Sequence, residues 1–569
     1  MTTDRAAAGG VPLDAVDFRS LRTGFLAHAA SHPADVALVV GDVTRTYGEL
    51  ALTARRWAGA ILAAVPRRVE RVGVFAYRSE VAYAGVLAAL CAGATYVPLN
   101  RTFPPARTRA MLRRAALDAV IVDRASAPQL AAVLEGVESP PLLVVPEAEA
   151  RAAVPEGAAL LDADAIARAV PAEVLPPVLP DDVAYLLFTS GTTGEPKGVG
   201  VTQGNALHFL DVMQRRYALH REDRVSQTFD QTFDLSVFDM FMAWNAGARL
   251  CVPRPIELLA PAAFVAKHGL TVWFSVPSVV ALMRKKGLLR AGAMPTLRWS
   301  LFCGEPLPRR SAEEWLAAAP GSTVENLYGP TELTIACFVY RWDPARSPAL
   351  CVRDLVPIGR PLPGLGALLV DDALRPVAAG EQGELCVCGP QTVPGYWQDP
   401  ARTAERFVEL PVSPRLTKRF YRTGDRVVAI ADSPPDAPEY AYLGRVDHQI
   451  KVLGFRVELG EIEAAVARFP EVVEAAAVGW PVEEGRALGT VAFVTTGGAV
   501  DATALLRELK GALPDYMVPR EIVVLERFPL NANGKTDRAA LAALLDERAA
   551  VGSAAALAAG AGGGPAPAA

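Results

Sequence analysis

Several things are scarce in this chain, and each scarcity excludes something. No stretch reaches the roughly eighteen uninterrupted apolar residues that a membrane span requires. The opening MTTDRAAAGGVPLD carries an acidic residue at Asp4 and no apolar core of signal-peptide length. Long blocks of one charge are missing too: 57 Lys and Arg stand against 62 Asp and Glu, a net charge of -5. Neither a nucleic-acid nor a membrane surface is therefore expected, and small neutral or mixed-charge ligands fit better. Cysteine is thin. The seven (Cys91, Cys251, Cys303, Cys337, Cys351, Cys386 and Cys388) are odd in number and include no C-x-x-C pair. They are expected to be mostly reduced and buried, in a cytoplasmic protein.

What is abundant is apolar material, at 51% of residues against 21% charged. At 569 residues the chain exceeds what one hydrophobic core usually organises, so a soluble globular protein of two or more domains is expected. No internal repeat is visible. Strand-like runs alternate with helical ones: RVGVFAY (71–77) precedes SEVAYAGVLAALCAG (79–93), and AVIVD (119–123) precedes APQLAAVLEGV (127–137). This is the βαβ signature of a mostly parallel sheet covered by helices. After LGRVDHQIKV the pattern changes to a compact α+β one, which places a boundary near residues 445–447. Residues from about 549 to 569 are Ala/Gly/Pro-rich and read as a disordered tail.

One loop stands out. LLFTSGTTGEPKGVGVT (186–202) has too little periodicity after Phe188 for a helix and too much glycine for a strand. Small residues leaving a strand present many backbone N–H groups, which makes an anion-binding concavity, and Lys197 adds a mobile positive charge. Phosphate is the expected ligand. The spacing is not G-x-x-x-x-G-K-[ST], and the GKT at 534–536 also fails because Pro529 stands where the first glycine belongs.

The segment FTSGTTGEPKG resembles the phosphate loop of adenylate-forming enzymes, the superfamily of acyl-CoA synthetases, luciferases and nonribosomal adenylation domains. Further matches follow in that family's order: TYGEL (46–50), GATYVPLN (93–100), FDLSVFDMF (233–241), NLYGPTE (326–332), GELCVCGPQTVPGYW (383–397), YRTGDR (421–426), GRVDHQIKVLGFRVELGEIE (444–463) and PLNANGKTDR (529–538). Singly, each has an ordinary structural explanation; their order across residues 15 to 545 is what identifies the family. One departure is Gln203, where many relatives carry a histidine.

The resemblance implies an α/β fold: a large N-terminal core of mixed and parallel sheets flanked by helices, residues 1–446, which binds ATP and the acid. A small mobile α+β domain, 447–545, carries the catalytic lysine, and the tail is 546–569. It assigns Thr189, Ser190, Gly191, Thr192, Thr193, Gly194 and Lys197 to the phosphates. Asn326, Tyr328, Gly329, Thr331, Asp425 and Arg445 go to the rest of the nucleotide, with Tyr328 stacking on adenine and Asp425 accepting from the ribose hydroxyls. Glu332, helped by Thr189, would hold Mg²⁺, whose preference is for hard oxygen ligands. Lys535 would bridge the substrate carboxylate and the α-phosphate, because two anions brought together need their charge neutralised. Lys451 is the further catalytic position. Asp447 matches the hinge about which the small domain turns, so that the loop near Gly454 replaces Lys535 in the second half-reaction.

By the same registration, Asp234 would pair with a substrate ammonium. The lining would be Phe233, Leu235, Phe238, Phe274, Leu301, Cys303, Leu327, Ile335 and Ala336. An otherwise apolar pocket rejects polar side chains, whose hydrogen-bonding groups would go unpaired. The set is similar to that of freestanding prolyl-adenylating enzymes, so L-proline is the expected substrate, with leucine or valine as alternatives. An acyl- or aryl-CoA ligase is the alternative from another class, and Asp234 speaks against it. No carrier or condensation domain is recognisable, so delivery in trans to a separate phosphopantetheinylated carrier protein is expected. That product would feed pyrrole-2-carboxyl or other natural-product biosynthesis.

Overall fold

The computed structural model describes residues 19–191, 196–378, 380–413, 415–431, 433–434, 437–447, 449–498, 500–531 and 536–560, with side chains to residue 550. The described residues form two compact units. The first runs to Asp447 apart from the loop after Thr189; the second comprises Ser190, Gly191 and the residues from Gln449 onward. Asp447, expected to open the small domain, thus falls in the first unit.

The first unit is built on three sheets. In the seven-stranded sheet, six parallel strands end in an antiparallel edge hairpin, Val183–Thr189 with Lys197–Thr202. Its central strand Arg71–Phe75 is buried almost throughout, as parallel strands covered on both faces are. The helix that follows, Glu80–Cys91, is buried at every position from Val81 on. Its sequence is apolar all round, which suits a core helix rather than a surface one. A nine-stranded sheet contains the parallel neighbours Arg224–Ser226, Val272–Ser275, Trp299–Phe302 and Thr323–Tyr328. A five-stranded antiparallel sheet includes Gln382–Cys388, Leu416–Ala429 and Tyr440–Arg445.

The glycine-rich segment corrects the sequence reading. Lys197–Thr202 is a strand, buried at every position. Its glycines answer to a neighbour rather than to a loop: a Cβ on Gly198 would stand 2.8 Å from Cβ of Trp397, whose N–H donates to the Gly198 carbonyl. Glycine is what a strand uses where another backbone comes this close. The strand runs straight into the helix Gln203–Tyr217 through a capping box between Thr202 and Asn205. Gln203 accepts the backbone N–H of Leu21 at 3.0 Å, a tie between two helices.

The second unit has a four-stranded and a three-stranded sheet with the helices Leu459–Val466 and Ala502–Ala512. The C-terminal segment differs from the expected boundary in part, and residues 561–569 of the expected tail lie outside the described residues. Helix Arg538–Gly560 extends well past residue 546, where a disordered tail was expected. The run is rich in alanine, the best helix former, which composition alone reads as low complexity. Leu541 and Leu545 of this helix pack with Phe493 and Phe528 in the unit's core. No helix among the described residues is long and apolar enough to cross a membrane.

Candidate active site

Four parallel strands of the nine-stranded sheet deliver the candidate residues at or just beyond their carboxyl ends, where open α/β sheets place their ligands. Phe274 and Leu301 lie side by side in register, and Leu301 pairs in turn with Glu325. With a period of two, Cys303 and Leu327 share that face. Phe238, on the helix Leu235–Asn245 that follows the strand Arg224–Ser226, packs edge-on against Phe274 with centroids 4.9 Å apart. Leu235, Phe238, Phe274, Leu301, Cys303, Leu327, Ile335 and Ala336 all belong to one buried cluster. Phe233 is partly exposed. Asp234 precedes the helix, only 7% exposed. Its carboxylate adds to the burial that pushes the Tyr96 and Tyr185 hydroxyls well above the usual phenol range. A buried acid therefore adjoins the apolar cluster, where desolvation makes a charge costly.

The turn after Thr323–Tyr328 carries Thr331 and Glu332 in a short 3-10 helix. Glu332 is fully buried: Lys197 Nζ stands 3.3 Å from Oε1, and the Tyr396 hydroxyl donates to the same oxygen at 2.7 Å. Lys197 also lies 5.0 Å from the centre of the Tyr396 ring. This corrects the reading of Lys197 as a mobile charge, since it is 5% exposed and opens a strand. Its partner Thr189 ends the facing strand, with Oγ1 buried and accepting or donating no hydrogen bond among the described residues.

A second polar cluster gathers around Asp425. Tyr328 donates its hydroxyl to Oδ2, and Arg445 Nη1 donates to Oδ1 at 2.8 Å. Register explains the ion pair, because Asp425 and Arg445 face each other across antiparallel strands. Burial first, and then Asp425, push the Tyr328 hydroxyl well above its ordinary range, so it is a donor at any physiological pH. Arg445 also forms a two-pronged bridge to Asp447 at 2.6 and 2.7 Å, and Arg406 lies 3.5 Å from the same carboxylate. Asn326 is buried and donates its amide to the Pro357 carbonyl at 2.9 Å. Gly329 backs onto the returning chain: a Cβ there would stand 2.6 Å from Cα of Ala336.

The first unit thus holds every described lining residue, Glu332 with Lys197, and Tyr328 with Asp425 and Arg445. Lys451 lies on the strand Gln449–Val452 of the second unit, where Ser190 and Gly191 also belong. Lys535, Thr192, Thr193 and Gly194 lie outside the described residues. Two residues of the GPQTVPGYW stretch were assigned no role from sequence: Tyr396, which holds Glu332, and Gln391, which reaches the turn at 333–336.

Comparison with known proteins decides the family. The model of the AMP-binding enzymes matches residues 25–397, and that of the AMP-binding enzyme C-terminal domain matches residues 461–535. The chain belongs to the AMP-binding enzymes. This AMP-binding enzyme is 35% identical to an L-proline--[L-prolyl-carrier protein] ligase of Streptomyces coelicolor, over 90% of its own length and 93% of the relative's. It is 37% identical to a probable non-canonical nonribosomal peptide synthetase, CymA, of Salinispora arenicola, over 91% of its own length. It spans only 6% of that synthetase, and less than half of the other large synthetases it matches. Its fold superimposes on the Vibrio cholerae adenylation domain AlmE in complex with glycyl-adenosine-5'-phosphate, with a TM-score of 0.80 and 32% identity, covering 94% of this chain and 99% of that one.

Proposed function

We propose that this AMP-binding enzyme activates an apolar α-amino acid, L-proline before others, and passes it to a separate carrier protein. A carboxylate oxygen attacks the α-phosphorus of ATP, the bond to the β-phosphate oxygen breaks, and pyrophosphate leaves with the electron pair. The phosphopantetheine thiolate of the carrier then attacks the acyl carbon, a thioester forms and AMP departs. The observation that carries the reading is one buried acid, Asp234, bordering a wall of apolar side chains. It would take the ammonium of the amino acid, and a pyrrolidine ring offers the hydrocarbon that Phe238, Phe274 and Leu301 can cover. Similarity to a prolyl-carrier ligase that is nearly coextensive with this chain favours proline and a carrier partner.

Tyr328 would stack on adenine while Asp425, steadied by Arg445, takes the ribose hydroxyls. Ser190 to Gly194 would offer backbone N–H groups to the phosphates. Lys535 would neutralise the α-phosphate in the first half-reaction, and Lys451 would act from the same small domain. The residues present also fit Mg²⁺. Glu332 supplies a buried carboxylate and Thr189 a buried hydroxyl oxygen, and no group of three or more His, Cys, Asp or Glu among the described residues forms a dedicated metal cage. One or two protein oxygens plus substrate phosphates are what this ion uses. When bound, it would offset charge on the phosphates.

The test is amino-acid-dependent ATP–pyrophosphate exchange across L-proline, D-alanine, leucine, valine, an aryl acid and a fatty acid. A dominant L-proline signal that Lys535→Ala removes supports the reading. Exchange with only the aryl or fatty acid overturns it.

A further inference from the structure

The turn between strands Thr323–Tyr328 and Phe338–Arg341 carries Glu332 and then, three and four residues on, Ile335 and Ala336. Its backbone is unusual. Thr334 and Ile335 both hold positive φ, 58° and 72°, a left-handed conformation that β-branched side chains resist. Such a conformation persists only where its surroundings over-determine it.

Gln391 supplies that constraint. It is completely buried, and its Nε2 donates to the carbonyls of Ala336 at 2.8 Å, Leu333 at 3.1 Å and Thr334 at 3.4 Å. An amide nitrogen has two hydrogens for these three acceptors, so one donor is shared. In return, the Thr334 hydroxyl donates to the Gln391 carbonyl at 2.7 Å. Two residues on, the Val393 N–H donates to the Glu332 carbonyl at 3.1 Å. The clamp is itself held: Asn205, locked in its capping box, donates to the Pro390 carbonyl at 2.6 Å and the Thr392 carbonyl at 3.4 Å. Behind the turn, Gly329 leaves no room for Ala336 to retreat.

We infer that Gln391 is a positioning residue for amino-acid selection. It lines no substrate surface, but it fixes the left-handed pair that aims Ile335 and Ala336, and it ties that wall to the segment bearing Glu332. The inference rests on the proposed lining role of Ile335 and Ala336. A merely structural residue would lower activity toward every acid alike. Loss of this clamp instead relaxes the wall and blurs the choice among apolar acids of different size.

The experiment compares the full-length enzyme with Gln391→Met, which keeps the length of the side chain but has no N–H, using exchange kinetics over the apolar acids. The expected result is a rise of about tenfold in KM for the preferred acid with KM for ATP within about twofold, and a ratio of kcat/KM between preferred and next acid that shrinks about fivefold or more. In an Ile335→Gly background, where positive φ carries no strain, adding Gln391→Met should change KM by less than about twofold, the mark of coupled residues. Amide hydrogen exchange at Thr334 to Cys337 should quicken in Gln391→Met while the strands beside it keep their protection. An unchanged acid ratio, or unchanged exchange at those amides, overturns the inference. Failure of the proposed function looks different: the wild type itself is then silent with every amino acid, and that result removes the selection role too.

Discussion

Glu332 and Lys197 face each other where water does not reach, and the energetics of such a pair are lopsided. Removing one member of a buried ion pair costs about 3–5 kcal/mol, whereas replacing both by neutral groups is often nearly free. Glu332→Gln should therefore lower stability by about that much and abolish pyrophosphate exchange. The double variant Glu332→Gln with Lys197→Met should recover most of the stability and none of the activity, as read by denaturant melts beside exchange assays. Recovery of both would mean that Glu332 serves packing alone. A different buried acid gives a pH signature. Asp239 is completely buried on the helix after Asp234, and burial outweighs the opposing Thr228 backbone and Arg78 to push its carboxyl well above the usual carboxylate range. The folded state then binds a proton that the unfolded chain releases near pH 4, so this contribution to stability falls as pH rises from there toward the folded value. Asp239→Asn should flatten that slope, so that the advantage of the variant is larger at about pH 7 than at about pH 5. Equal melts at both pH values would refute it.

At the scale of elements, the sequence made the alternation of strand and helix legible because period and apolar content are local properties. The runs at 71–77 and 79–93 became the buried strand Arg71–Phe75 and the helix Glu80–Cys91. Errors came where a distant segment decides the outcome. Gly198 pairs with Phe188 in a hairpin, and the reason a glycine stands there, the close approach of Trp397, lies nearly 200 residues away. Ala-rich residues beyond 546 were read by complexity when helix propensity governs them. The candidate site divides in the same way. Asp425 and Arg445 meet through strand register, which motif order anticipates only as proximity. Gln391 and Tyr396 were in plain view inside a recognised motif, yet their contacts reach 58 and 64 residues back along the chain. A glutamine and a tyrosine carry no charge to flag them. The left-handed pair Thr334–Ile335 was invisible for a related reason: positive φ announces itself in sequence through glycine or asparagine, and here neither is present.

For the whole molecule, two units with separate cores are compatible with the proposed pair of half-reactions, which would call on the small domain in two different ways. Asp447 is the last residue of the first unit, its carboxylate is bridged by Arg445 and Arg406, and the proposed hinge would in addition require its backbone to turn. Asp447→Pro fixes φ and restricts Val446, and it also deletes the carboxylate. Asp447→Asn leaves the backbone free while removing the charge. If rotation at this point separates the half-reactions, Asp447→Pro should keep exchange within about threefold of wild type yet slow thioester formation on a phosphopantetheinylated carrier at least about tenfold, with Asp447→Asn close to wild type in both. If Asp447→Asn alone suppresses exchange, the carboxylate acts through Arg445 on Asp425, and the residue belongs to nucleotide binding rather than to the hinge. Thioester formation by Asp447→Pro at the wild-type rate would place the pivot elsewhere in the chain.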